Sequence, residues 1–225
     1  MNKILITGSE GLIGKKISNY LKKKNSVSLL DIKKNINLCD ENDVKNYFKK
    51  YNNFNYLINL HGANEHIGIK KRSTKNHATD KEHFDHFFYN NVFSTYLTNK
   101  YFIKYCKNGK GILNFSSIYS LVSPKHNIYK NPKSIFYVSS KFAVNGITKY
   151  FATMYGKKVN VNTIANHGIE WKQPSSFKNK LTKHIPKNRM MNVEDLYGII
   201  DLFCSEKNKY INGSTIVIDG GYTAW

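Results

Sequence analysis

The stretch Ile4-Leu5-Ile6-Thr7-Gly8-Ser9-Glu10-Gly11-Leu12-Ile13-Gly14 changes its hydrophobic period partway along. Ile4 to Ile6 is a continuous apolar run, as in a strand buried on both faces, whereas Leu12, Ile13, Ile17, Tyr20 and Leu21 recur at helical spacing. The glycines between them permit a tight turn, close approach of a backbone to a pyrophosphate, and helix-to-sheet packing. The reading is strand, glycine turn, helix.

Working outward, similar apolar runs occur at Val27–Asp31, Asn55–His61, Gly111–Ser116, Val159–Ala165 and Ser214–Asp219. Helical stretches are predicted between them at about 41–51, 80–107, 135–155 and 193–205, the third with Phe142, Val144, Ile147 and Phe151 on its apolar side. Strands alternating with helices predict an α/β protein whose doubly wound parallel sheet is covered on both faces, the Rossmann arrangement. At 225 residues and 26.0 kDa, the whole of 1–225 is expected to form a single domain with one core. The least regular segments, 62–79, 118–134 and 166–192, each follow a predicted strand. Ligands bind beyond those strand ends, so these loops are expected to carry the substrate contacts.

Lys plus Arg is 35 against 15 for Asp plus Glu, a formal charge of +20, yet 40% hydrophobic and 14% aromatic content excludes a disordered basic tail. The basic residues are spread along the chain, with short runs such as Lys22–Lys24 and Lys70–Arg72, and an excess of Lys, Asn, Ile and Tyr also follows from AT-rich codons. A nucleic-acid partner is therefore not expected. Cys39, Cys106 and Cys204 make neither a disulfide framework nor a zinc set, which predicts a reducing, cytoplasmic setting. No apolar run approaches the roughly 20 residues of a membrane span, and Met1–Thr7 carries no signal-peptide pattern. His66, His77, His83 and His86 with Glu82 form no compact ligand motif, so no metal is expected.

Several residues carry candidate chemistry. Asp31 closes the second strand, where a carboxylate accepts hydrogen bonds from the hydroxyls of an adenosine ribose and repels a 2′-phosphate. That favours NAD over NADP, although Lys33 and Lys34 follow at once and would attract the phosphate. Tyr137 and Lys141 stand at i and i+4 on one helical face, where the ammonium is expected to favour the phenolate for proton exchange. Tyr-x-x-x-Lys also starts at Tyr20, Tyr96 and Tyr129; the first lies on the first helix away from the crevice, the second inside the 80–107 helix, and Pro132 disfavours a helix through the third. Ser116 and Ser117 end a strand at the crevice edge, where a serine can donate to an oxygen as charge develops on it.

Taken in order, Thr7–Gly14, Asn59-Leu60-His61-Gly62, Asn91, Ser116-Ser117, Tyr137-x-x-x-Lys141 and Ile218-Asp219-Gly220-Gly221 resemble the short-chain dehydrogenase/reductase family. Tyr137–Lys149 and Ile211–Tyr222 are similar to its single-domain branch, while the spacing of Gly8, Gly11 and Gly14 resembles its longer, nucleotide-sugar-modifying branch. The resemblance implies a Rossmann-fold enzyme that moves a hydride between a nicotinamide and a carbonyl or alcohol carbon. In it Tyr137 is the acid/base, Ser117 polarises the substrate oxygen, Lys141 tunes the tyrosine and holds the nicotinamide ribose, and Asn91 holds a proton-relay water. The dinucleotide would lie along Thr7, Gly8, Glu10, Gly11, Leu12, Ile13 and Gly14. Its adenine side would meet Asp31, Asn37 and Leu38, and its nicotinamide side Asn59, His61, Gly62, Tyr137, Lys141 and Ile169. His61 replaces a small residue of the family pattern, and His167 stands where the family usually has Pro-Gly; both are read first as histidines satisfied by backbone carbonyls. Two roles follow: an NAD-preferring oxidoreductase for a small polar or anionic substrate, with an epimerase-like or dehydratase-like enzyme as a variant, or a silent dinucleotide-binding sensor. A homodimer or homotetramer is expected from the resemblance.

Overall fold

The computed structural model describes residues 1–34, 36–64 and 79–225. Six strands, β1 (Lys3–Thr7), β2 (Ser26–Leu30), β3 (Tyr56–Asn59), β4 (Gly111–Phe115), β5 (Asn160–Asn166) and β6 (Thr215–Ile218), form one sheet in the order β2-β1-β3-β4-β5-β6. Every pairing is parallel. Because β2 pairs on one side of β1 and β3 on the other, the order reverses at β1. The crevice of a doubly wound sheet therefore opens beyond Thr7 and Asn59.

Alternation along the strands sorts the core into two layers. Leu5, Leu57, Ile112 and Val161 pack toward α2 (Glu41–Lys50), α4 (Ser94–Tyr105) and α5 (Ile135–Tyr155). Ile4, Ile6, Ile58, Leu113 and Ile164 pack on the other face, toward α1 (Leu12–Leu21) and α7 (Tyr197–Phe203). Near the strand ends one row of the register is polar: Thr7 pairs with Asn59, Asn59 with Asn114, and Asn114 with Thr163. Asn59 Nδ2 donates to the side-chain oxygens of Asn99 and Asn114, both at 2.8 Å, and Asn114 Nδ2 to Thr148 at 2.9 Å. Thr148 in turn meets the Thr163 hydroxyl at 2.6 Å. All of these side chains are buried.

Two stretches differ from the sequence reading. The helix expected over 80–107 is interrupted: α3 (Asp80–Phe87) runs into a π-helical turn at Phe88–Phe93 before α4 begins. The stretch Phe88-Tyr89-Asn90-Asn91-Val92-Phe93 contains no glycine or proline to mark the interruption in the sequence. Segment 166–192, expected to be irregular, contains α6 (Ser175–Thr182), which buries Phe177 and Leu181. Most of 62–79, with His66 and His77, lies outside the described residues. No described helix is long and apolar enough to cross a membrane.

Candidate active site

The helix starts around the crevice are built in two ways. Helices α2, α3 and α5 carry side-chain caps from Asp40, Thr79 and Ser134. Helix α1 starts at Gly11 with neither a side-chain cap nor an acidic residue in its first turn. Its leading N–H groups and the positive end of its dipole therefore remain for an anion. The loop before it is compressed: Gly8 has φ +67°, and a Cβ there would come within 2.5 Å of the His61 nitrogen. A Cβ on Gly14 would meet the Gly8 carbonyl oxygen at 2.3 Å. Asp31 braces the loop, its carboxylate accepting from the Glu10 amide at 2.9 Å and the Lys33 amide at 3.1 Å. This donor set, an uncapped helix start behind a glycine loop with a carboxylate at its rim, fits a dinucleotide.

A cavity of about 290 Å³ connects that loop to the first turn of α5. Gly8, Gly11, Leu12, Ile13 and Gly14 line one end; His61, Gly62, Ser117, Tyr137, Lys141 and Ile169 line the middle. Ser134 caps α5 by accepting from the Phe136 amide at 3.2 Å and the Tyr137 amide at 3.5 Å, which places Tyr137 in the first turn and Lys141 one turn on. Tyr137 is 7% exposed and Lys141 8%. Lys141 Nζ stands 5.8 Å from the centre of the Tyr137 ring and donates to the Phe115 carbonyl at 3.4 Å. The two neighbouring serines divide their tasks. Ser116 donates to the Lys141 carbonyl at 2.8 Å, tying β4 to α5, whereas Ser117 Oγ accepts from the Tyr119 amide at 3.2 Å and stands near enough to the Tyr137 phenol to lower its pKa.

Burial dominates the electrostatics. It pushes the Tyr137 phenol up to about 12, opposed only by the neighbouring Ser117 hydroxyl, and pushes Lys141 down to about 8. The expectation that the ammonium favours the phenolate is outweighed here by desolvation. His61 is pushed down to about 3, first by burial and then by the positive charge of Lys141. Its ring is held by side-chain hydroxyls rather than the expected backbone carbonyl: Nδ1 lies 2.6 Å from Thr7 Oγ1 and Nε2 2.9 Å from Ser94 Oγ. Ser94 donates to the Asn90 carbonyl at 2.8 Å, so the ring proton sits on Nε2 and Nδ1 accepts from Thr7. Burial likewise lowers the His167 pKa, and its Nδ1 lies 3.4 Å from the Gly168 carbonyl oxygen.

Not every residue singled out from the sequence reaches the cavity wall. Asn91, on the π turn, is 1% exposed and accepts from the Ala63 amide at 2.6 Å while donating to the Ala63 carbonyl at 3.2 Å and to Ser140 at 2.9 Å. It fixes the segment that carries His61 and Gly62. Thr7 and Asn59 belong to the buried polar row beneath the cavity. The Leu38 side chain is committed to the core, and Asn37 is exposed, donating its amide to Asp43 at 3.1 Å. Among the described residues no three His, Cys, Asp or Glu side chains gather as metal ligands. Other wall residues had no part in the sequence reading, among them Trp171, Gln173, Phe177 and Met190. Tyr129 and Lys133, a Tyr-x-x-x-Lys match that Pro132 disfavours as a helical pair, also line the cavity.

A parallel sheet wound on both faces, with a glycine loop at its switch point and a buried tyrosine–lysine pair across the cavity, defines a Rossmann-type α/β protein. A sequence model described as enoyl-(acyl carrier protein) reductase matches residues 15–223. The chain belongs to the short-chain dehydrogenase/reductase family. It is 30% identical over 132 residues to post-translational flagellin modification protein A of Campylobacter coli, covering 56% of this chain and 52% of that protein. It is 32% identical over 152 residues to 7alpha-hydroxysteroid dehydrogenase of Paraclostridium sordellii, covering 64% of this chain and 54% of that one. The chain thus spans about half the length of these curated relatives. A short-chain dehydrogenase of Leptospira borgpetersenii serovar Hardjo-bovis, solved with bound NAD+, superposes with TM-score 0.84 at 28% identity over 99% of this chain and 92% of that one.

Proposed function

We propose that this chain is an NAD-preferring oxidoreductase acting between a carbonyl and a secondary alcohol in a small polar or anionic substrate. One observation carries the reading: Ser117, Tyr137 and Lys141 share one cavity with an uncapped helix start behind the glycine loop. The nicotinamide would supply or accept the hydride. The chain's own side chains handle the proton. A phenol held neutral by burial is a proton donor at neutral pH, which suits carbonyl reduction, with Ser117 donating to the same oxygen as charge builds on it. Lys141 places a positive charge beside the phenol and beside Gly62, whose Cβ position lies 3.7 Å from its Nζ. We assign the dinucleotide to the loop from Gly8 to Gly14, with Asp31 selecting against a 2′-phosphate.

Tyr137→Phe should abolish NADH-dependent turnover across a carbonyl panel while retaining NADH binding; a fully active variant would show that another group moves the proton. NADH should bind more tightly than NADPH in a fluorescence titration, and the reverse order would overturn the role of Asp31. NADH binding without turnover of any carbonyl would instead support the sensor reading. We further propose that two copies pair through α5, where Phe142, Tyr150 and Met154 are exposed and the Gly146 face has nothing within 4 Å. Light scattering giving a mass near 26 kDa would contradict that pairing.

A further inference from the structure

We propose that Tyr129, backed by Tyr119, is the residue that selects the substrate, and that the substrate carries a second acceptor oxygen, a hydroxyl or its equivalent, beside the reacting carbonyl. This deepens the oxidoreductase reading and rests on it.

Tyr119 and Tyr129 line the same cavity as Tyr137, and their hydroxyls are hydrogen-bonded to each other. Their rings are held in place. Tyr129 lies against Phe177 of α6 at 5.4 Å and against Tyr119 at 6.4 Å between ring centres. Lys133 Nζ stands 5.9 Å from the centre of the Tyr129 ring and 5.3 Å from that of Tyr137, so one ammonium spans the proton-carrying ring and the selecting ring.

Counting protons decides what the pair can do. Each phenol has one hydrogen to donate, and one bond between two phenols consumes only one of the two. Behind them the Tyr222 hydroxyl is buried with no hydrogen bond of ordinary geometry, yet it stands near enough to Tyr119 for each to shift the other's pKa. With Tyr119 as the donor of the bond between it and Tyr129, its hydrogen is directed at the Tyr129 oxygen, and the Tyr129 hydrogen is left to donate. Among the described residues no protein group accepts it. The half-buried Tyr129 faces the cavity, so its acceptor is solvent until a ligand oxygen replaces it. Burial raises the pKa of both phenols, Tyr129 to about 12, so the pair remains a donor through the working range.

The test compares isosteric ketones, 1-hydroxybutan-2-one against pentan-3-one, in which a methyl group replaces the hydroxyl. In the wild-type protein with NADH, kcat/KM should favour the hydroxyketone by about thirtyfold, the loss expected when a buried donor is left unpaired. The ratio should fall toward one in Tyr129→Phe and to an intermediate value in Tyr119→Phe, with NADH titration confirming that both variants remain folded. Equal turnover of the two ketones, or an unchanged ratio in Tyr129→Phe, overturns the role of Tyr129 and leaves the oxidoreductase reading standing. Reduction of pentan-3-one alone does the same. If NADH binds and neither ketone nor a wider carbonyl panel is reduced, the oxidoreductase reading itself fails.

Discussion

The first turns of α1 and α5 line one cavity and are opposite in construction. Helix α1 begins at a glycine, uncapped and without acidic residues, and exposes backbone donors. Helix α5 begins under Ser134, which occupies its leading amides and sets a phenol and an ammonium in a buried wall. An unfinished helix end is completed by an anion, whereas a finished one leaves its side chains to do chemistry. The first end depends on how closely backbone atoms approach, the second on charge held out of water.

The largest effect should break the α5 side alone. Tyr137→Phe is expected to lower turnover by about 10³-fold while leaving the NADH affinity within a factor of about two, as stopped-flow and titration can show. Comparable losses of both would mean that the two helix ends are not separable. Next in size is Gly14→Ala, whose Cβ would meet the Gly8 carbonyl oxygen at 2.3 Å. A loss of about 3 kcal/mol in urea unfolding is expected, together with loss of NADH binding. Gly11→Ala, with its nearest contact at 3.3 Å, should be much milder.

Lys141→Met sharpens the contrast in the opposite direction. The folded pKa of Lys141, about 8, lies below its unfolded value of 10.5. Between those values the unfolded chain binds the proton and the folded chain does not, so wild-type stability rises with pH across that window. Below pH 8 the buried ammonium opposes folding in full. The methionine variant should therefore be more stable than wild type at pH 7 by about 2 kcal/mol, inactive, and matched by wild type near pH 10.5. A pH-independent difference would show that the ammonium is solvated. The smallest effect is expected at Asp31→Ser, which should shift the NADH-to-NADPH affinity ratio by about tenfold toward NADPH, measured by titration.

The parts of the fold legible in the sequence are those encoded by period and by glycine. Ile4–Ile6 followed by the glycine turn, and the runs of β3, β4 and β5, announce themselves because strands buried on both faces need continuous apolar residues, whereas β2 and β6, at the sheet edges, are only partly buried. The π turn at Phe88–Phe93 does not, because no glycine or proline marks it in the sequence, and its purpose appears only when Asn91 meets Ala63. Tyr137 could be separated from its three competing matches by its position after a crevice loop. Tyr129 was set aside on a sound helix argument that does not bear on its place in the wall: Tyr129 closes a short 3₁₀ turn over His126–Ile128, and its side chain reaches the cavity from there. His61 was legible as a departure, but its two hydroxyl partners lie on β1 and α4, far apart in the chain.

The polar row through Asn59, Asn114 and Thr163 has a consequence for how the strands find one another. Leucine beside isoleucine tolerates many alignments, since any apolar surface satisfies any other. A carboxamide in a dry interior tolerates almost none, because sliding β3 or β4 by a single position would strand several donors against hydrocarbon. These asparagines therefore act as a combination lock on the centre of the sheet, so that the strand ends supporting the cavity wall come level in only one way.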